Sequence, residues 1–270
     1  MTIHRAGYWE DRLRGHFNEQ GVGDIGLSRS YNKWLYAVRR RVFRRMASRL
    51  PVMPEQAKVL DIGSGTGFYI REWLAWGAQS VRGIDITDTA VERLKVDYPD
   101  CSFIRADIGE ADPQFAPPAS QDVVSAFDVM FHIVEDAHYR QAIENVAGLL
   151  KPGGYFVYSD NLVSDEVRMP HYVSRTEEHI VDTLGEAGMV VRHRLPVFAL
   201  MNDPVRTSSR ILRRWFALVH KLAGRGETSG QILGGALYPV ELAVTRLLSR
   251  GPSTEILICQ RRQARQRDAT

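Results

Sequence analysis

The chain has 270 residues, 44% of them hydrophobic and 25% charged. That is long enough for one decorated domain or two small ones around a substantial core, and too apolar for a disordered chain. The formal net charge of +3 is mild and argues against a dedicated nucleic-acid binder. Cys101 and Cys259 both sit in apolar strand-like runs without CxxC spacing, which argues against a disulfide framework or a cysteine zinc site and fits a reducing compartment.

In chain order, residues 1–54 read as an N-terminal helical lid. MTIHRAGYWEDRLRGHF lacks an apolar signal core, so a cytoplasmic protein is expected. From Lys58 to Asn161, short apolar strands alternate with amphipathic helices, the pattern of a parallel sheet covered by helices. The predicted strands are 59–62, 80–85, 102–107, 122–128 and 155–160. Tyr139, Ala142, Ile143, Val146, Leu149 and Leu150 recur at helical spacing until Lys151-Pro152-Gly153-Gly154 stops the run.

Ser174 and Glu177 have capping-box spacing ahead of a helix to about Ala187, and a strand near Met189–Leu200 follows Gly188. Residues 255–260 would pair beside it. The 201–252 interval is too long for a hairpin connection and reads as an inserted helical cap. The expected organisation is lid 1–54, core 55–200, insertion 201–252, last core strand 253–262 and basic tail 263–270. The longest apolar stretch, 230–248, is broken by Pro239, Glu241 and Arg246, so stable membrane insertion is not expected.

Val59-Leu60-Asp61-Ile62-Gly63-Ser64-Gly65-Thr66-Gly67 is the most informative segment. It is an apolar strand entering a glycine-rich turn that opens a helix, where a ligand can approach the backbone closely. Asp85 follows Gly67 by 18 residues at the next strand end, where a carboxylate can accept both ribose hydroxyls. The spacing is GxGxG rather than the GxGxxG of dinucleotide enzymes, and Asp61 precedes it. S-adenosylmethionine has no phosphate but carries an ammonium that a carboxylate such as Asp61 can hold, which favours that donor. Asp107 and the Ile108 amide can hold the adenine, although a turn aspartate is an equal reading of Asp107 alone.

With VLDIGSGTG, GIDIT, RADI, AFDVMFHIVED and LLKPGGYFVYSD in that order, the chain resembles the class I S-adenosylmethionine-dependent methyltransferases of small-molecule type over roughly residues 55–200. The resemblance implies a Rossmann-like α/β fold whose seven-stranded sheet has six parallel strands and a last antiparallel one, with helices on both faces. It also implies the methionine end over Gly63, Ser64, Gly65 and Gly67, the ribose at Asp85 and Ile86, the adenine beside Asp107 and Ile108, and Phe127 near the sulfonium.

In the lid, aromatic faces suit a sulfonium cation, so Tyr8, Trp9 and Tyr31 are assigned to the cofactor and Trp34 and Tyr36 to packing. His132 lies after the fourth strand, where ligands bind in such sheets, and can act as base toward a hydroxyl; a packing histidine is a comparable reading. Asp128, Asp160 and Asn161 are similar to the magnesium site of catechol-type enzymes, but no basic residue stands nearby and a metal is not favoured. Glu166 can take a proton after carbon methylation, and Tyr172 faces the expected acceptor pocket. Arg206, Arg210, Arg213 and Arg214 form a stripe that can bind a diphosphate, although a basic stripe is usually a solvated face. The apolar run 231–248 suits core burial, a homo-oligomer contact or a bilayer surface.

The expected function is therefore O-methylation of a hydroxylated natural product or sugar. C-methylation of an electron-rich alkene such as a prenyl diphosphate is the alternative, and a noncatalytic S-adenosylmethionine-binding module is the reading from another class. Asp128-Val129-Met130-Phe131 stands where adenine-amino enzymes carry [DN]PP[YFW], which argues against nucleic acid as the partner.

Overall fold

A computed structural model describes residues 5–111, 115–205, 207 and 209–263. Three helices come first: α1 (Arg5–Gly15), α2 (Glu19–Val22) and α3 (Arg29–Ala47). The alternating region follows as β1 (Lys58–Ile62), α4 (Phe68–Trp76), β2 (Ser80–Asp85), α5 (Asp88–Asp97), β3 (Ser102–Arg105), β4 (Gln121–Ala126), α6 (Asp136–Leu149) and β5 (Leu150–Asp160). A small hairpin, β6 (Val167–Met169) and β7 (Tyr172–Ser174), leads into α7 (Glu177–Glu186) and β8 (Met189–Pro196). The chain then forms α8 (Arg210–Ala223), α9 (Glu227–Leu247) and β9 (Glu255–Arg261).

The main sheet has the order β3-β2-β1-β4-β5-β9-β8. Neighbours are parallel except for β9, which runs antiparallel to both β5 and β8. Side chains of β1 and β5 alternate between two cores, as the two-residue period of a strand requires. Val59, Tyr155 and Val157 join α3 and α4 on one face, while Leu60, Phe156 and Tyr158 join α6 on the other. Both faces are covered, which is why the central strands read as continuous apolar runs. This is the Rossmann-like fold of class I methyltransferases.

Several boundaries differ from the sequence reading. The third and fourth strands end at Arg105 and Ala126, leaving Asp107, Phe127 and Asp128 on the turns beyond. Lys151-Pro152-Gly153-Gly154 enters β5 as well as ending α6. The cap of α7 is Thr176, whose hydroxyl accepts the His179 N–H; Ser174 is instead buried as the last residue of β7.

The insertion packs against the N-terminal helices. A Cβ on Gly234 would stand 2.3 Å from Trp34 Cδ1, so glycine lets α9 lie directly on α3. Glu227 at the start of α9 accepts the Arg29 and Ser30 N–H groups at the start of α3. Buried Glu241 accepts the Ala199 and Leu200 N–H groups, and Arg45 donates to the Thr245 and Pro196 carbonyls. These bonds join α3, α9 and the segment after β8 into one layer. Among the described residues, no helix is long and apolar enough to cross a membrane.

Candidate active site

The carboxyl ends of β1, β2, β3 and β4 converge on one cavity, where an open parallel sheet places its ligands. The Gly63 and Ser64 N–H groups donate to the Ile84 carbonyl at 2.8 and 3.2 Å, pinning the glycine loop to β2. Gly65 and Gly67 take φ of +51° and +79°, conformations costly for any residue with a Cβ. A Cβ on Gly63 would fall 2.3 Å from Val129 Cγ2. The loop is therefore built for close approach.

Asp85 is buried at the end of β2. Its Oδ2 accepts the Gly65 N–H at 2.9 Å, and its Oδ1 accepts the Thr87 N–H at 2.9 Å and the Thr87 hydroxyl at 2.7 Å. Burial pushes its carboxyl above the ordinary range despite these bonds. Thr87 also caps α5 by accepting the Ala90 N–H, so one hydroxyl ties the carboxylate to a helix start. Asp107 Oδ1 accepts the Gly109 N–H at 2.9 Å and lies 3.1 Å from His138 Nε2.

Gly63, Ser64, Gly65, Asp85, Ile86, Asp107, Ile108, Phe127, Trp9 and His132 all line the cavity. Asp61 and Gly67 do not. Asp61 is buried beneath the loop and accepts the Ser125 hydroxyl at 2.6 Å, while Ser125 accepts the Trp73 indole N–H at 2.9 Å. Burial pushes the Asp61 carboxyl up to about 7. In this geometry Asp61 lies beneath the loop, held by the Ser125 hydroxyl.

Over the cavity lies α1. Trp9 and Leu13 line it, and Glu10 accepts the Thr89 hydroxyl at 2.6 Å, tying α1 to α5. Arg12 stacks over the Tyr8 and Trp9 rings and donates to the Gly21 carbonyl at 2.6 Å. Tyr8 stands one layer out, stacked 6.0 Å from His171. His132 ends the single helical turn Met130–His132. Its Nδ1–H donates to the His171 carbonyl at 2.8 Å, and the Trp9 ring stands edge-on at 4.9 Å. Burial lowers its pKa to about 4. The imidazole is then neutral near pH 7, with Nε2 left as its acceptor nitrogen.

Other expected site residues lie elsewhere. Tyr31 is fully buried and its hydroxyl donates to the Met201 carbonyl at 2.8 Å, because α3 turns it toward the insertion. Glu166 is bound by Arg168 Nε at 2.5 Å on an exposed segment, and Tyr172 packs on His171 outside the cavity. Arg210 and Arg214 are exposed on α8, and no described residue of the insertion lines the cavity; Arg206 lies outside the described residues. The described part of the insertion packs on α3. Among the described residues no three His, Cys, Asp or Glu side chains group to hold a metal.

The sequence reading missed one wall. Tyr36, Phe68 and Tyr69 line the cavity, and Tyr69 stacks 3.9 Å from Phe127. Behind them Arg39 Nη2 lies 2.8 Å from Asp128 Oδ2, its guanidinium flanked by the Tyr36 and Phe198 rings. Asp128 holds φ at +58°, an uncommon conformation for a residue with a Cβ. Its N–H donates to Ser159 Oγ at 2.6 Å and its Oδ1 accepts the Ser159 hydroxyl at 2.8 Å. The Tyr36–Arg39 spacing of one helical turn was the available signal.

Residues 59–154 match a family described as a methyltransferase domain. A dimethylglycine N-methyltransferase of Parasynechococcus marenigrum is 28% identical over 61% of this chain and 60% of its own length. A ubiquinone biosynthesis O-methyltransferase of Neisseria meningitidis is 30% identical over 38% of this chain and 43% of its own. The chain thus spans about half the length of these curated relatives. Across 98% of both chains it superposes, with a TM-score of 0.58 and 17% identity, on a chain from the complex between the Haloferax volcanii Trm112 methyltransferase activator and the putative methyltransferase. That likeness concerns the fold.

Proposed function

With residues 59–154 a methyltransferase domain on the class I fold, we propose that this chain is an S-adenosylmethionine-dependent enzyme that methylates a hydroxyl of a small molecule. S-adenosylmethionine supplies an electrophilic methyl on a sulfonium. The protein then has to bind the donor, aim the acceptor and exclude water, which together can supply much of the rate of an in-line transfer. Asp85 offers its remaining lone pairs to ribose hydroxyls, Asp107 and the Ile108 amide stand at the adenine end, and the glycine loop accommodates the amino-acid end.

The observation that carries the hydroxyl reading is His132. It lines the same cavity as the donor residues, and its tautomer is set by the His171 carbonyl. A neutral imidazole with one free nitrogen can take the hydroxyl proton as the oxygen is methylated. The aromatic wall of Tyr36, Phe68, Tyr69 and Phe127 suits an acceptor with a flat or aliphatic body. Carbon methylation of a prenyl diphosphate is disfavoured, because Glu166, Arg210 and Arg214 all lie outside the cavity.

The test is transfer of labelled methyl from S-adenosylmethionine to a panel of hydroxylated small molecules, beside matched amines and alkenes. Product from hydroxyl acceptors that is lost in His132→Ala supports the reading. Product only from alkenes or amines overturns the acceptor class, and donor binding without transfer to any acceptor favours a noncatalytic module.

A further inference from the structure

We propose that the outer face of the α8–α9 hairpin docks this protein on an anionic lipid surface. Two observations meet there. The first is apolar exposure: of fourteen large hydrophobic side chains exposed among the described residues, Ile211, Leu218, Ile232, Val240, Leu247 and Leu248 belong to this one hairpin. Ile211 is 82% exposed, Ile232 69% and Leu247 86%. Along α9, Ile232, Ala236, Val240, Ala243 and Leu247 recur at helical spacing on the side opposite Gly230, Gly234, Glu241 and Thr245, which are buried. The result is an apolar stripe about 22 Å long, from the 15 steps between Ile232 and Leu247 at about 1.5 Å rise each.

The second observation is charge. Residues 204–250 contain eight Arg and Lys but only two acids, Glu227 and Glu241. Glu241 is buried against the segment after β8, and Glu227, although exposed, is engaged by the Arg29 and Ser30 N–H groups at the start of α3. The exposed rim of α8 is cationic, with Arg210, Arg214 and Lys221 along the helix and Arg225 just after it. An apolar stripe with a rim of arginine and lysine is the pattern of a helix lying in a lipid interface, with its apolar side chains among acyl chains and its cations at anionic headgroups.

Charge complementarity selects this occupant over a second copy of the chain, since a symmetric dimer through the stripe would bring two cationic rims together. Neither helix is long and apolar enough to span a bilayer, so the contact is peripheral.

The test is co-sedimentation of the full chain with vesicles of phosphatidylcholine mixed with phosphatidylglycerol, beside phosphatidylcholine alone. The expected result is binding to the mixed vesicles that weakens with added salt. It should fall roughly a hundredfold in the Arg210→Ala, Arg214→Ala, Lys221→Ala variant. It should also be lost in Ile232→Ser with Leu247→Ser. All these positions are exposed, so both variants should keep the wild-type melting temperature and donor affinity. Absence of binding to the mixed vesicles, or equal binding by the charge variant, overturns the proposal. So does light scattering that shows a wild-type dimer dissociated by the serine variant, because a second copy would then cover the stripe.

Discussion

Residues 58–107 and residues 201–252 are both apolar segments punctuated by glycine, yet glycine has opposite consequences in them. In the first, Gly63 and Gly65 leave room where a cavity opens, and the neighbouring carboxylate of Asp85 is held by backbone N–H groups. In the second, Gly230 and Gly234 remove the space between α9 and α3, closing a helix pair. The first region opens a cavity against the backbone, and the second is where two helices meet. A glycine pattern carries chemistry only when it stands at a strand end beside a polar group that has somewhere to point.

The contrast is broken most sharply at His132, which belongs to the cavity. His132→Ala should lower turnover by about 10²- to 10⁴-fold while leaving donor affinity unchanged, measured by initial rates and calorimetry. Because burial holds the wild-type imidazole at about pH 4, this base should not limit the rate near pH 7. Loss of rate through His132 should begin only as pH falls toward 4.

A second effect concerns the cavity's rear wall. Arg39→Ala leaves Asp128 without its cation, and denaturant unfolding should show a loss of about 3 kcal/mol. Asp61 sharpens the comparison by pH. Its folded pKa is raised to about 7, so the folded state holds this proton more tightly than the unfolded chain. Stability from that group is present at low pH and is lost between about pH 4 and 7, at most about 1.4 kcal/mol per unit. Asp61→Asn should remove that loss, so unfolding midpoints of variant and wild type should shift relative to each other across this window. The smallest effect belongs to the insertion: Arg210→Ala with Arg214→Ala should leave the Michaelis constant of any accepted substrate unchanged, as should Glu166→Ala.

The glycine-loop side of the cavity was legible because its geometry is local. A strand, a turn and a strand-end carboxylate lie within 30 residues, and the parallel pairing of β2 and β3 brings Asp85 and the turn that carries Asp107 to one edge of the sheet. Tyr31 was misplaced because aromatic residues on one helix share a spacing whether they face a ligand or a neighbouring helix, and α9 lies 200 residues later in the chain. Arg39 was illegible for the same reason, since its partner Asp128 is 89 residues away. The capping signal at Ser174 failed because Thr176 offers the same chemistry two residues on, and β7 claims Ser174 first.

The central claim is that Asp85 and the glycine loop form a donor site. Titration of the wild-type chain and Asp85→Ala with S-adenosylmethionine and S-adenosylhomocysteine tests it most directly. The account predicts saturable binding of both by the wild type, weakened by roughly a hundredfold in the variant, the scale of about 3 kcal/mol for hydrogen bonds to a charged group. Absence of binding by a folded wild type, or equal affinity in Asp85→Ala, would contradict it.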